Sequence, residues 1–281
     1  MSAVTRFAPS PTGPLHLGHV HAAWFAWSRA RRAGGRFMLR IEDIDQARCR
    51  PAYAEAIEAD LLWLGLAWDG PVRVQSRHFA EYKAVLGALA ASGLLYPCFC
   101  SRAGIARELA ASAAAPHGPD GSPLYPGTCR HVPEALRAER LAAGMPHAWR
   151  LDMARAVAAA PDLTLHTVGR GRIACFPLAF GDVVLGRRDV PASYHLCATH
   201  DDASDGVTLV TRAMDLQPAA HLHRLLQVLM GWPETAYEHH ALLTDAEGRR
   251  LSKRDGAASV RTLREAGATP AEVLRLAACE E

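Results

Sequence analysis

The chain has 281 residues, 49% of them hydrophobic, with 31 basic and 29 acidic side chains and a formal net charge of +2. That length can bury more than one core, and so even a balance excludes a protein that holds nucleic acid by bulk charge, leaving local patches only. No apolar run approaches the roughly eighteen residues that span a bilayer, no secretion signal opens the chain, and seven cysteines without paired spacing fit a cytoplasmic metal-binding protein better than a disulfide framework.

Val4 to Ala8 is a short apolar segment that reads as a strand. It enters a stiff turn, Pro9-Ser10-Pro11-Thr12-Gly13-Pro14, and then a helix from about His19 to Arg32 that Gly34-Gly35 stops. Phe37 to Ile41 reads as a second strand, parallel to the first across a βαβ crossover. Glu42-Asp43-Ile44-Asp45 leaves its carboxyl end, the edge at which open parallel sheets bind ligands. For Asp43 and Asp45 a polar cap on the next helix is the favoured role. Helical patterns follow over 52–64 and from His78 to Ala91, the second with Ser76 as N-cap. Leu94-Leu95-Tyr96 is a third short strand.

At Pro97 the character changes. An Ala-rich helix reaches about Ser112, a Pro/Gly loop runs to Cys129, and a helix spans Pro133 to Ala143. Strand-like pieces lie around His147 to Met153, Leu163 to Val168 and Asp182 to Leu185. The stretch 97–190 therefore reads as an α+β insertion between two halves of one α/β domain, 1–96 and 191–256. The sheet is expected to resume at Ser193 to Cys197 and Val207 to Thr211, ahead of a helix from Pro218 to Met230. A helix pair, Ser259 to Gly267 and Thr269 to Ala278, forms a short C-terminal segment, 257–281.

Three groups of residues carry chemistry. His16 and His19 lie three apart at a helix N-terminus, where backbone N–H groups and the helix dipole favour phosphate; Gly13 and Gly18 would let a ligand approach the backbone. Cys98, Cys100 and Cys129 suit tetrahedral zinc, with the fourth ligand open among Tyr125, His117 and His131; three buried free thiols are the plainer alternative. Arg250-Leu251-Ser252-Lys253-Arg254, after an acidic Gly turn, is a basic loop able to neutralise phosphate charge in a transition state. The clusters Arg29/Arg31/Arg32, Arg170/Arg172 and Arg187/Arg188 read as solvated faces.

Arg6 to His19 resembles the HIGH signature of class I aminoacyl-tRNA synthetases, in the Pro-Ser-Pro-Thr-Gly form of the glutamyl and glutaminyl branch. Arg250 to Arg254 resembles the KMSKS signature, with Lys253 at its catalytic lysine and Arg250 in place of the leading lysine. Arg40-Ile41-Glu42-Asp43-Ile44-Asp45 is similar to the branch's Arg-Ile-Glu-Asp-Thr-Asp, and Asp182 to Asp189 and Ser193 to Leu196 are similar to a strand and the amino-acid pocket. The resemblance implies a Rossmann-type nucleotide-binding domain that uses ATP with Mg²⁺. It implies catalytic roles for His16, His19 and Lys253, and nucleotide contacts from Pro9, Gly18, Ser252, Lys253 and Arg254. A glutamate pocket would be formed by Arg6, Phe7, Ala8, Pro9, Ser10, Glu42, Tyr194 and Arg212. Arg212 would meet the side-chain carboxylate, a task suited to a planar guanidinium, and Glu42 the amino group. A structural zinc would sit on Cys98, Cys100, Tyr125 and Cys129. Two departures touch the pocket: Arg212-Ala213-Met214-Asp215 stands where the branch has Arg-Gly-x-Asp, and Cys197-Ala198-Thr199-His200 where two valines are usual.

The chain ends within about thirty residues of Arg254, too soon for the helical anticodon-binding module of a glutamyl-tRNA synthetase. It therefore most resembles the truncated paralogues of that enzyme, the glutamyl-Q tRNA(Asp) synthetases. That resemblance implies tRNA-independent activation of L-glutamate with ATP and transfer to queuosine in the anticodon loop of tRNA(Asp), by a cytoplasmic monomer with no membrane partner. The alternatives are a glutamyl-tRNA synthetase module acting on the tRNA 3′ end and a non-catalytic tRNA-binding paralogue.

Overall fold

In the computed structural model of the protein, which describes residues 2–110, 117–243 and 259–279, the expected βαβ opening is present. β1 (Val4–Phe7) and β2 (Arg36–Ile41) pair in parallel, Val4 opposite Arg36 and Phe7 opposite Leu39. α1 (Leu17–Arg32) joins them and buries Val20, Ala23, Ala26 and Ala30, small side chains that let the helix lie close to the strands. Thr5 Oγ1 donates across that contact to the Ala26 carbonyl at 2.8 Å. Gly34, at φ +57°, turns the chain after the helix in a conformation that a Cβ would strain.

α2 (Pro51–Trp63) packs beneath, and β3 (Arg73–Val74) pairs in parallel with β2. α3 (Phe79–Ala91) begins later than expected, because Gln75–His78 forms a 3₁₀ turn. Ser76 does not cap it: its N–H and Oγ–H both donate to Asp43, at 2.7 and 2.6 Å. Asp43 thus ties the exit of β2 to the entry of α3, while Asp45 pairs locally with Arg48 at 2.7 Å.

β4 (Leu95–Cys98), α4 (Arg102–Ala110), α5 (Glu134–Ala142), β5 (Ala148–Leu151), α6 (Met153–Ala158), β6 (Thr164–Thr167), β7 (Gly171–Ala174) and β8 (Val184–Gly186) follow. β4, β5 and β8 form an antiparallel sheet. β6 instead pairs in parallel with a later strand and carries β7 as an antiparallel neighbour. The segment 97–190 therefore contributes strands to two sheets.

α7 (Tyr194–Ser204) occupies the place where a strand was expected over Ser193 to Cys197. Ser193 has extended backbone and its Oγ accepts the Leu196 N–H, so it starts a helix. The buried set Leu196, Cys197, Ala198, Thr199, Asp201 and Asp202 needs the helix to reach the core on consecutive turns. β9 (Leu209–Ala213), α8 (Ala219–Leu229) and β10 (Ala236–His240) complete a second parallel unit, with β10 between β6 and β9. β10 was not expected, since Ala-Tyr-Glu-His-His lacks the aliphatic run of a buried strand. Thr208 N–H donates to the Val4 carbonyl at 2.9 Å, which sets the start of β9 beside β1. α9 (Val260–Glu265) and α10 (Pro270–Leu276) form the expected C-terminal helix pair. Val260 and Val273 enter the core shared by α1, β1 and β2.

Candidate active site

β1 leads through α1 to β2 on one side, and β9 leads through α8 to β10 on the other. The carboxyl ends of these four strands diverge around one crevice, the arrangement in which parallel α/β sheets bind ligands. A cleft of about 450 Å³ lies there, lined by Arg6, Phe7, Ala8, Ser10, His16, Gly18, His19, Glu42, Tyr194 and Arg212 among others. Of the expected glutamate residues only Pro9 stands one step back, where its carbonyl accepts the Glu42 N–H at 3.0 Å. Ser252, Lys253 and Arg254 lie outside the described residues. On either side of them, Leu243 lines the cleft and Ser259 bridges His16.

His16 and His19 are built into the start of α1. His16 is the N-cap, and its Nδ1 accepts the Gly18 N–H at 3.1 Å; His19 Nδ1 accepts the His16 N–H at 3.3 Å. The rings stack with centroids 3.7 Å apart. Because each Nδ1 accepts, the neutral form of each ring carries its proton on Nε2, so both present N–H donors suited to phosphate oxygens. A Cβ on Gly18 would stand 3.1 Å from His16 Cε1 and Nδ1. Room for the capping ring, rather than ligand approach alone, is what that glycine supplies.

Beneath the cleft lies a buried charge network that the sequence reading did not assign. Arg40 is fully buried; its Nε and Nη2 donate to Glu42 Oε1 at 3.3 and 3.1 Å, and its Nη1 to Asp202 Oδ1 at 2.7 Å. Arg6 Nε reaches the same Asp202 oxygen at 2.9 Å, and its Nη1 the Thr211 carbonyl at 3.0 Å. Burial pushes the Glu42 carboxyl above its usual range, against the pull of Arg40 and Arg6. A ligand ammonium beside it would therefore favour the ionised form. Asp202 is driven upward by burial but held below the usual range overall by Arg6 and Arg40. The pair Asp201-Asp202 on α7 was the available signal, two acids in a segment whose apolar neighbours are buried.

Arg212 is different. Three arginines among the described residues are buried, and of these Arg6 and Arg40 are ion-paired. Among the described residues Arg212 has no carboxylate partner: Nε donates to His239 Nε2 and Nη1 to His223 Nδ1, both at 3.4 Å, while Nη2 is buried with no hydrogen bond. His223 Nε2 lies 3.2 Å from His195 Nδ1. Burial, and then the Arg212 charge, lowers all three imidazoles: His195 and His239 to about 4, and His223 well below the ordinary value. The result is a cation facing the cleft amid neutral groups, a site for an anionic ligand.

Away from the cleft, Cys98, Cys100 and Cys129 hold their sulfurs within 4.8 Å of one another. The Tyr125 hydroxyl lies 3.4 Å from Cys98 Sγ and 3.5 Å from Cys100 Sγ, and accepts the Cys129 N–H at 2.9 Å. His117 and His131 do not join this group. Arg188 Nη2 holds the Cys98-x-Cys100 turn through the Phe99 and Cys100 carbonyls, at 2.5 and 2.6 Å. Sulfurs on a tetrahedral zinc stand about 3.8 Å apart at a Zn–S distance of ~2.3 Å, so the donor set fits that metal. Other arginines of the basic clusters are spent on the protein itself: Arg29 on Glu238, Arg31 on Asp69, Arg172 on Glu234 and Arg187 on Asp189.

Comparisons with known proteins agree with this geometry. The family of class I tRNA synthetases (E and Q), catalytic domain, matches residues 2–278. A Rhodobacter capsulatus protein named glutamyl-Q tRNA(Asp) synthetase is 47% identical, over 97% of this chain and 99% of its own. A Nocardia farcinica protein of the same name is 44% identical, over 96% and 82%. A glutamate tRNA ligase from Elizabethkingia meningosepticum, solved with its amino acid, superposes with a TM-score of 0.77 at 30% identity, covering 91% of this chain. This chain spans about half (53%) of that longer protein. No helix among the described residues is long and apolar enough to cross a membrane. With the family match, the identities and the parallel-sheet cleft in agreement, the chain belongs to the class I tRNA synthetases of the glutamate and glutamine branch, by their catalytic domain, and is a ligase.

Proposed function

We propose that the chain activates L-glutamate with ATP and transfers it to the queuosine base in the anticodon loop of tRNA(Asp). The observation that carries the amino-acid assignment is Arg212, a buried cation without a carboxylate partner among the described residues. A glutamate side chain would supply that carboxylate, and its ammonium would meet Glu42, whose carboxyl burial has raised. Arg6, Phe7, Ala8, Ser10 and Tyr194 would close the pocket, with Pro9 bracing it. The α-carboxylate oxygen attacks the α-phosphorus in line; a P–O bond forms, the bond to the bridging oxygen breaks, and pyrophosphate leaves. His16 and His19, through Nε2–H, would hold phosphate oxygens at the N-terminus of α1. Gly18 borders them, and Ser252, Lys253 and Arg254 would stabilise charge on the leaving group from the other side. Mg²⁺ would supply further neutralisation of the phosphates. In the second step a queuosine hydroxyl attacks the acyl carbon, AMP departs, and the hydroxyl proton passes to it. No covalent enzyme intermediate is required, so positioning and charge stabilisation carry the rate.

The queuosine acceptor rests on the printed names of relatives that match this chain almost end to end. Labelled glutamate offered with queuosine-modified and unmodified tRNA(Asp) tests it. Charging of the modified tRNA alone, resistant to removal of the 3′-terminal adenosine, is the expected result. Charging that depends on the 3′ end would mean a glutamyl-tRNA synthetase, and absence of pyrophosphate exchange a binding paralogue. The working compartment in this reading is the cytoplasm.

The same reading places a structural zinc on Cys98, Cys100, Tyr125 and Cys129, a closed four-ligand site with no open position for chemistry. Purified protein is expected to carry about one zinc per chain. Cys129→Ser should lose it and melt several degrees lower, since structural zinc binding is folding free energy. A metal-free preparation of undiminished stability would remove the metal.

A further inference from the structure

Arg212 is held differently from the other buried arginines among the described residues. A buried guanidinium is ordinarily fixed by carboxylates, as Arg6 and Arg40 are. Here its fixed contacts are imidazole nitrogens on two other elements, His223 on α8 and His239 on β10. Building on the glutamate reading above, we infer that His223 and His239, with His195 behind His223, are positioning residues that hold Arg212 through neutral acceptors and so keep its charge available to a ligand carboxylate.

Donor inventory fixes the tautomers. Arginine only donates. The facing atoms, His223 Nδ1 and His239 Nε2, must therefore be bare, and each ring carries its proton on the other nitrogen. His223 Nε2–H then points to His195 Nδ1, at 3.2 Å, giving a one-way chain from Arg212 through His223 to His195. Tyr194 packs on this chain, its ring centroid 5.3 Å from that of His195 and 5.7 Å from that of His223. The Arg212 guanidinium also lies over the Tyr237 ring at 5.2 Å, a further neutral contact. A carboxylate at position 223 or 239 would grip Arg212 more tightly and compete with the substrate. A group without an acceptor would leave the planar fork unaimed. Neutral imidazole does neither, and the depressed proton affinity of all three rings keeps it neutral at working pH.

Glutamate-dependent pyrophosphate exchange on the full chain tests this, with KM for glutamate and for ATP measured separately. His239, half-buried, is the tractable site, and its variants are compared at matched thermal unfolding. His239→Ala is expected to raise the glutamate KM about tenfold, leaving the ATP KM within about twofold. His239→Gln, which keeps a neutral acceptor, should recover most of the loss. His239→Glu should raise the glutamate KM further than Ala does, although it offers Arg212 a stronger partner. His223→Asn and His223→Glu repeat the contrast where the ring is fully buried. A glutamate variant that binds substrate as well as the parent, a Gln variant no better than Ala, or parallel movement of both KM values overturns the inference. Arg212→Ala is run alongside. If it leaves the glutamate KM unchanged, the carboxylate assignment itself has failed; if it alone raises that KM, only the histidine cradle has.

Discussion

Arg212→Ala is expected to lower kcat/KM for glutamate in pyrophosphate exchange by about a hundred- to a thousand-fold, with the ATP KM little changed. The size follows from truncating one partner of a buried, hydrogen-bonded charge pair, roughly 3–4 kcal/mol, at tenfold per ~1.4 kcal/mol. Stability should move the other way. Without ligand the Arg212 charge has only neutral partners among the described residues, and one guanidinium nitrogen is buried without a hydrogen bond. Removing it relieves desolvation and the repulsion that helps depress His195, His223 and His239. The variant should melt at or slightly above the parent temperature, the pattern of a residue retained for binding at some cost in stability. Arg212→Lys keeps the charge but not the two-pronged fork, and should remain at least tenfold impaired. A variant that activates glutamate normally would show that the anion at this end of the cleft is held elsewhere.

Arg40→Ala is expected to be the most destabilising single substitution near the cleft. Arg40 is fully buried, bonded to Glu42 and Asp202 and 3.9 Å from Asp201. Removing it strands buried carboxylates, a loss of about 3–5 kcal/mol, or on the order of 10 °C in melting temperature for a chain of this size. Glutamate activation should fall as well, because Glu42 loses the partner that orients it. A double-mutant cycle in thermal or denaturant unfolding with Asp202→Ala should show coupling of about 1–3 kcal/mol, since residues of one network do not add. A melting temperature within about 2 °C of the parent would contradict this account. The acid limb has a definite sign. Asp201 and Asp202 are held below the usual carboxylate range by their arginine and hydrogen-bond partners, against burial. Their contribution is complete above the unfolded value of about 4 and is lost as pH falls further through the folded values. In Arg40→Ala the folded values rise toward the unfolded one, so that contribution should be smaller and its loss should be complete at higher pH.

The two arginines show why the site was only partly legible. Arg212 could be picked out because a resemblance attached a role to one residue, yet the histidines that hold it come from α8 and β10, eleven and twenty-seven positions further on. Nothing in their local sequence marks them. His223 sits among leucines on the buried face of α8, where a histidine usually reads as packing. Arg40 was noticed only as a flank of Glu42, since its partner Asp202 lies on a helix whose opening, Ser193 to Cys197, was expected to be a strand and whose remainder was given no element. The Ser193 cap decided that segment, and a cap is a local signal easily outweighed by an apolar run. β10 was missed for the converse reason: its strand character comes from pairing with β6 and β9, not from propensity.

Some features are written in consecutive residues, and these the sequence determined by itself. They are the βαβ opening, the proline-rich turn with His16 and His19 at a helix start, the Cys98-x-Cys100 spacing with its distant third cysteine, and the C-terminal helix pair. Each depends on backbone preferences or on spacing within a turn or two, so reading the chain in order suffices. Tertiary structure alone decided how charge is apportioned around the cleft. Among the described residues, two buried arginines are balanced by carboxylates and a third is cradled by neutral imidazoles. That difference depends on which groups, far apart in the chain, are desolvated together, because a charge in a low-dielectric interior takes its energy from its neighbours in space.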